Sequence, residues 1–161
     1  IGDCLQGVLA EGERLTDGEK TVSNALWTVA AMRDAIDVIQ KALPAAQELG
    51  LGIGLDFGAL SITRLGIKGS RDRCVAGRAM LVAQTEGEAC SGVETAIGQK
   101  AYDTASRTIQ EVFKTSRKLS DLSTNRLDAL ITEAEGRVSK RATSFDSSGY
   151  GVTLPRAHSR A

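Results

Sequence analysis

Residues 52–77, "GIGLDFGALSITRLGIKGSRDRCVAG", set six glycines among strand-like segments and gather Arg64, Lys68, Arg71 and Arg73 just beyond them, with Arg78 next in line. A packing element has no use for cations at this density, whereas a local anion site does. At the amino end, Asp3 follows a glycine in the strand-like "IGDCLQGVLA". Taken alone, such a residue is a turn former. Other reactive side chains are scattered. His158 stands alone in a polar stretch, and "DGEKT" at 17–21 resembles the end of a phosphate loop but lacks the first glycine at the required distance. Cys4, Cys74 and Cys90 show no metal-type spacing, and their odd number without a leader fits reduced thiols in a cytosolic protein.

The rest of the composition narrows the class. With 20 basic and 20 acidic side chains the chain has no formal net charge, which excludes a general nucleic-acid surface while leaving room for a local basic site. No run approaches the roughly 18 apolar residues needed to cross a bilayer, so the expected setting is cytoplasmic and free of membrane. The chain of 161 residues suits one domain plus an appendage. Its opening reads as an interior beginning, with the amino-terminal part of the domain absent.

Positioning elements follow from periodicity. Val22, Leu26, Val29, Met32 or Arg33, Ile36, Ile39 and Leu43 recur at helical spacing, with Thr21 or Ser23 as cap and Pro44 and Gly50 marking the exit. "LGLGIGLDFG" and "ALSITRLGI" predict two strands joined by a tight turn at Gly58, followed by a basic loop. A helix from about Gly77 and a strand at "GVETAIG" come next. Two further helices are expected, "QKAYDTASRTIQEVFKTSRKL" with Ile109, Val112 and Phe113 on one side, and "LSTNRLDALITEAEGRVSKRA" with Leu127, Leu130 and Ile131. Their apolar spacing is not a sustained heptad, so they are expected to pack back on the domain. Residues 143–161 read as a loosely held tail.

The order of strand, long helix, hairpin, basic loop, helix and strand resembles the carboxy-terminal half of class III nucleotidyl cyclase catalytic domains. "IGDCLQGVL" looks like the hairpin whose "IGD" carries a metal-binding carboxylate. "GIGLDFG" resembles the family's G-I-x-x-G strand and turn, and the pattern runs without a gap from Gly58 through Gly66 and Asp72 to Gly77. "GVETAIGQKAYD" looks like the strand and helix start that close the shared core. The resemblance implies an α+β fold, with a ferredoxin-like sheet carrying helices on one face and extra helices at the carboxyl end. Residues 1–98 would be the carboxy-terminal part of the catalytic domain, 99–142 a helical extension, and 143–161 the tail.

The same resemblance implies Asp3 as a metal ligand for Mg²⁺ or Mn²⁺, two ions per site, and a homodimer whose sites lie between subunits. The asparagine and arginine that the family carries on the helix after the basic loop fall at Leu81 and Thr85, and neither can do that work. Arg78, three residues before Leu81 and so on nearly the same face, could reach a phosphate in their stead. Cys74 aligns with a base-selecting position, flanked by Arg71 and Arg73, which puts all three at the substrate base. This pattern looks most similar to the bacterial pyrimidine cyclases of antiphage defence. It implies conversion of UTP or CTP to a cyclic mononucleotide and pyrophosphate. An adenylate or guanylate cyclase, or a cyclase-like nucleotide sensor without turnover, is the alternative. Asp56 has no role in this scheme, and the glycines are expected to lay flat backbone against a base.

Overall fold

The computed structural model describes residues 5–9, 17–43, 49–67 and 70–147, and of Arg71, Arg73 and residues 142–147 the backbone only. The architecture is α+β. Helix α1 (Gly18–Ala42) starts at Asp17, whose Oδ1 accepts from Lys20 N at 3.1 Å. Neither expected cap serves: Thr21 already lies within the first turn, donating its hydroxyl to Asp17 O at 2.8 Å. An aspartate just ahead of the helix is the stronger acceptor for the unpaired N–H groups there. Only the first half of the apolar stripe is covered. Val22, Ala25, Leu26, Val29 and Ala30 are buried, whereas Ile39 and Leu43 are exposed.

Strand β1 (Ile53–Leu55) does not form the expected hairpin with the segment after Gly58. It pairs in parallel with β4 (Glu94–Ile97), Gly54 opposite Ala96, and β4 pairs antiparallel with β5 (Lys118–Ser120), giving a sheet ordered β1-β4-β5. A parallel pair needs a long crossover. That crossover consists of β2 (Ser61–Ile67), β3 (Ser70–Ala76) and α2 (Arg78–Glu88). The hairpin is β2 with β3, in register from Ser61 opposite Ala76 to Ile67 opposite Ser70. What reads as a basic loop is therefore a strand. Its charges mask a two-residue alternation, so the pairing of the two strands with each other is not visible in the sequence.

Beyond β4, the single helix expected from residue 99 breaks into α3 (Gln99–Thr104) and α4 (Arg107–Val112). Ala105 is extended, and Ser106 Oγ accepts from Ile109 N at 3.4 Å to begin α4 afresh. A serine within a helical pattern offers this alternative because its hydroxyl competes for backbone N–H groups. The end of the same stretch becomes β5. Helix α5 (Thr124–Ser147) then runs past residue 142, and residues 148–161 lie outside the described residues.

One core joins these elements. Val22, Leu26 and Ala30 of α1 meet Ile97 of β4, Ile109 and Val112 of α4, Phe113, Leu122, and Leu127 and Ala134 of α5, with Leu130 and Ile131 packed against them. Core residues thus come from both sides of residue 98. Asp34, in the second half of α1, reaches the start of α5, where Oδ2 accepts from Thr124 N at 3.2 Å and from the Thr124 hydroxyl.

Candidate functional site

Gly52 and Gly54 have a packing role. A Cβ on Gly54 would stand 1.9 Å from Ala83 O and 2.4 Å from Gly87 N, and one on Gly52 would stand 2.9 Å from Gly87 O. Helix α2 therefore lies directly on the glycine face of β1. This corrects the expectation of flat backbone held against a base, since α2 already covers that face. Gly77 is needed for the same kind of reason. It precedes α2 in extended backbone, and a Cβ there would meet Ala59 O and Leu60 Cδ2, each at 2.7 Å. The close approach fixes where α2 begins, and so where Arg78 stands.

Arg78 is exposed in the first turn of α2. Leu81, one turn on, is 63% exposed, and Thr85 donates its hydroxyl to Leu81 O at 2.9 Å within its own helix. Neither position offers a cation or an amide to a phosphate, which leaves Arg78 as the cation of that turn. Cys74 is a free, half-buried thiol on β3 opposite Thr63, and position 73 stands opposite Arg64 and position 71 opposite Gly66. The side chains of Arg71 and Arg73, and all of Asp3, lie outside the described residues.

A cavity of about 530 Å³ opens between β1, α2 and residues 5–8. Leu5, Gln6, Gly7 and Val8, which follow Asp3 closely in the chain, line it together with Ala79 and Met80, the residues after Arg78. Residues 5–9 carry no regular secondary structure, in place of the strand expected there. The opening segment and the start of α2 thus share one concavity. Its carboxylates among the described residues are Asp56 and Glu88. Asp56 Oδ1 accepts from Ala101 N at 2.9 Å, at the start of α3, and Glu88 Oε1 accepts from Gln84 Nε2 at 2.8 Å. Among the described residues no three acidic, cysteine or histidine side chains are arranged to hold a metal ion. The described part of the cavity does not by itself fit a two-ion centre.

Two positioning residues carry no signal in the sequence. Asp56 ties the end of β1 to α3 across 45 residues, so no local pattern announces it. Arg33 leaves the apolar stripe of α1 to donate to Gly92 O at 3.1 Å, to Glu94 O and to Thr95 Oγ1 at 3.3 Å. Burial lowers its pKa, and Asp121 and Cys90 oppose that shift. The guanidinium clamps α1 to the start of β4, close behind the Cys90 wall of the cavity. Cys90 donates to Ile53 O at 3.7 Å, and burial pushes its thiol pKa up.

No family model matches the chain. It is 42% identical over 159 residues to a uridylate cyclase of Pseudomonas aeruginosa, an alignment covering 96% of this chain and 31% of that protein. A uridylate cyclase of a Rhizobium species is 36% identical over 115 residues, 70% of this chain and 22% of the relative. The chain spans about a third or less of the length of these relatives. Among solved structures, a class III adenylyl cyclase-like ATP-binding protein from Pseudomonas aeruginosa superposes with a TM-score of 0.64 at 45% identity, covering 73% of this chain and 25% of that one.

Proposed function

From a chain that belongs to the class III nucleotidyl cyclases, in their pyrimidine-cyclase branch, we infer that the protein forms part of a cyclase for a pyrimidine triphosphate. The substrate is UTP or CTP, with UTP favoured by the names of the two curated relatives. The ribose 3′-hydroxyl displaces pyrophosphate at the α-phosphorus and gives a 3′,5′-cyclic mononucleotide. The observation that carries this reading is the shared cavity, in which residues 5–8 and the first turn of α2 line one space. On this reading the neighbourhood of Asp3 and that of Arg78 serve one substrate.

Arg78 takes the role of the phosphate cation. Its exposed guanidinium at a helix start, where N–H groups are unpaired, offsets charge building on the phosphates as the bond to pyrophosphate breaks. Arg71, Arg73 and Cys74 lie on the hairpin strand that feeds α2 and are assigned to the base. Class III cyclases work with divalent metals, and Mg²⁺ or Mn²⁺, two ions per site, would lower the barrier by neutralising phosphate charge. Asp3 is assigned to them. The β2–β3 arm supports a homodimer with sites between subunits: every residue of β2 is exposed, including Ile62, Leu65 and Ile67. The product would serve as a second messenger in antiphage defence, in the cytoplasm; no helix among the described residues is long and apolar enough to cross a membrane.

A second reading is a nucleotide-sensing module without turnover. Leu81 and Thr85 favour it, as does the ATP-binding description of the solved neighbour. Incubation with each of the four ribonucleoside triphosphates and Mn²⁺, followed by mass spectrometry, separates the two. Cyclic UMP or cyclic CMP is the expected product. Binding without any cyclic product would leave the sensor. In the cyclase, Arg73→Ala should lower the use of UTP and CTP more than triphosphate binding at large.

A further inference from the structure

Asp56 stands where the sheet passes the chain on to the arm. Strand β1 ends at Leu55, whose carbonyl accepts from Gly98 N at 2.7 Å, and the next side chain crosses to α3, where Asp56 Oδ1 accepts from Ala101 N at 2.9 Å. Gly98 has no side chain with which to cap α3. A Cβ there would stand 2.6 Å from Asp56 Oδ1 and 2.7 Å from its Cγ, so the glycine leaves the room that the carboxylate takes. A cap supplied from the neighbouring strand thus satisfies one of the unpaired N–H groups at the start of α3. The half-buried Asp56 is thereby held in one place at the very end of β1.

The chain that follows lies close against the start of α2. Phe57 packs on the core, and a Cβ on Gly58 would come within 3.2 Å of the Ala79 methyl. Ala59 O and Leu60 bound the space at Gly77, and Ala79 is itself buried. Arg78 lies between these two, so both of its chain neighbours rest on residues 58–60. Its guanidinium is exposed, and the backbone beneath it takes its position from the path that leaves β1. Asp56 fixes the first residue of that path and lines the same cavity as Leu60, Ala79 and Met80.

We propose that Asp56 is a positioning residue for the cyclase reaction: by joining β1 to α3 it sets the course of residues 57–60, and through their contacts with Gly77 and Ala79 it holds Arg78 at the phosphates. The proposal rests on the role given to Arg78 under the cyclase reading. A double-mutant cycle on the full chain, read as cyclic UMP formation, tests it. Asp56→Ala should lower kcat about tenfold, the scale of one lost hydrogen bond, with KM for UTP nearly unchanged, because Arg78 acts on charge that builds as the bond breaks. In an Arg78→Ala background the same change should cost little more, whereas a merely structural role would cost the same factor in both backgrounds. Asp56→Asn, which keeps an oxygen to accept from Ala101 N, should restore most of the rate. A readout without turnover is hydrogen exchange at the Leu81 amide, which donates to Gly77 O at 3.4 Å. Asp56→Ala should speed that exchange and Asp56→Asn should not. If the unaltered chain forms no cyclic product from any triphosphate, the cyclase reading fails by itself, and exchange at Leu81 decides whether Asp56 holds the start of α2. Equal rate losses in the two backgrounds, or unchanged Leu81 exchange in Asp56→Ala, overturn the proposal.

Discussion

The core around Phe113 and the arm made by β2 and β3 are built on opposite terms. Phe113, Leu26 and Leu127 are all but fully enclosed by α1, α4 and α5, whereas Ile62, Leu65 and Ile67 of the arm are 57%, 60% and 78% exposed. A two-stranded ribbon with open apolar side chains on both faces is marginal in water by itself. The helical half is enclosed within one chain, while the arm leaves its apolar side chains uncovered among the described residues, the surface that the proposed pairing of two copies would use. Stability and substrate contact are segregated accordingly, since the residues assigned to base and phosphate lie on the arm or just past its end.

Substitutions should separate the two halves cleanly. Phe113→Ala, at a side chain with no exposed surface, should cost about 3–5 kcal/mol in denaturant unfolding, and a loss below about 1 kcal/mol would break the contrast. Arg78→Ala should reduce turnover by roughly 100-fold or more, with an unchanged melting curve. Unaltered turnover would remove Arg78 from the phosphates. Gly54→Ala, which forces a methyl into the carbonyl of Ala83, should lower stability by about 1–3 kcal/mol or more and move α2 with it. Ile62→Ser combined with Leu65→Ser should leave the unfolding free energy within about 0.5 kcal/mol per site. Sedimentation should nevertheless show weaker self-association, and a dimer unaffected by both changes would refute the arm as interface.

The smallest effect is acidic. Ser91 N donates to Glu94 Oε2 at 2.7 Å, and that backbone hydrogen bond, ahead of a side-chain bond from Ser91, lowers the carboxyl pKa. A pKa depressed by folding adds stability above the ordinary carboxylate value, and this is lost as pH falls through the folded one. Glu94→Gln should remove that small contribution at neutral pH and flatten the acid limb, which unfolding free energies measured at neutral and at acid pH would show.

How much of this is legible in the chain depends on the distance over which each feature is decided. The α1 stripe and the burial of Ile109, Val112, Phe113 and Leu127 follow from side-chain period alone. The start of α1 falls a few residues ahead of the expected caps, because three neighbouring side chains are all plausible there. Strand pairing is hidden since the segment at 70–76 buries its alternation under charge, and β1 takes a partner that lies beyond the whole crossover. Ser106 divides a helical pattern that looks continuous by hydrophobicity. Arg33 and Asp56 bond to groups 45 to 62 residues away, and such contacts leave no mark on local sequence. The basic residues near 71–78 are visible, but their place on a ribbon leading into α2 is not.

The carboxylate of Asp34 terminates a helix to which it does not belong. The Thr124 amide proton at the opening of α5 is therefore held by a side chain anchored in the second half of α1. Hydrogen exchange at Thr124 would then report the integrity of α1 as much as that of α5, and a fraying event in either long helix would be felt at once by the other.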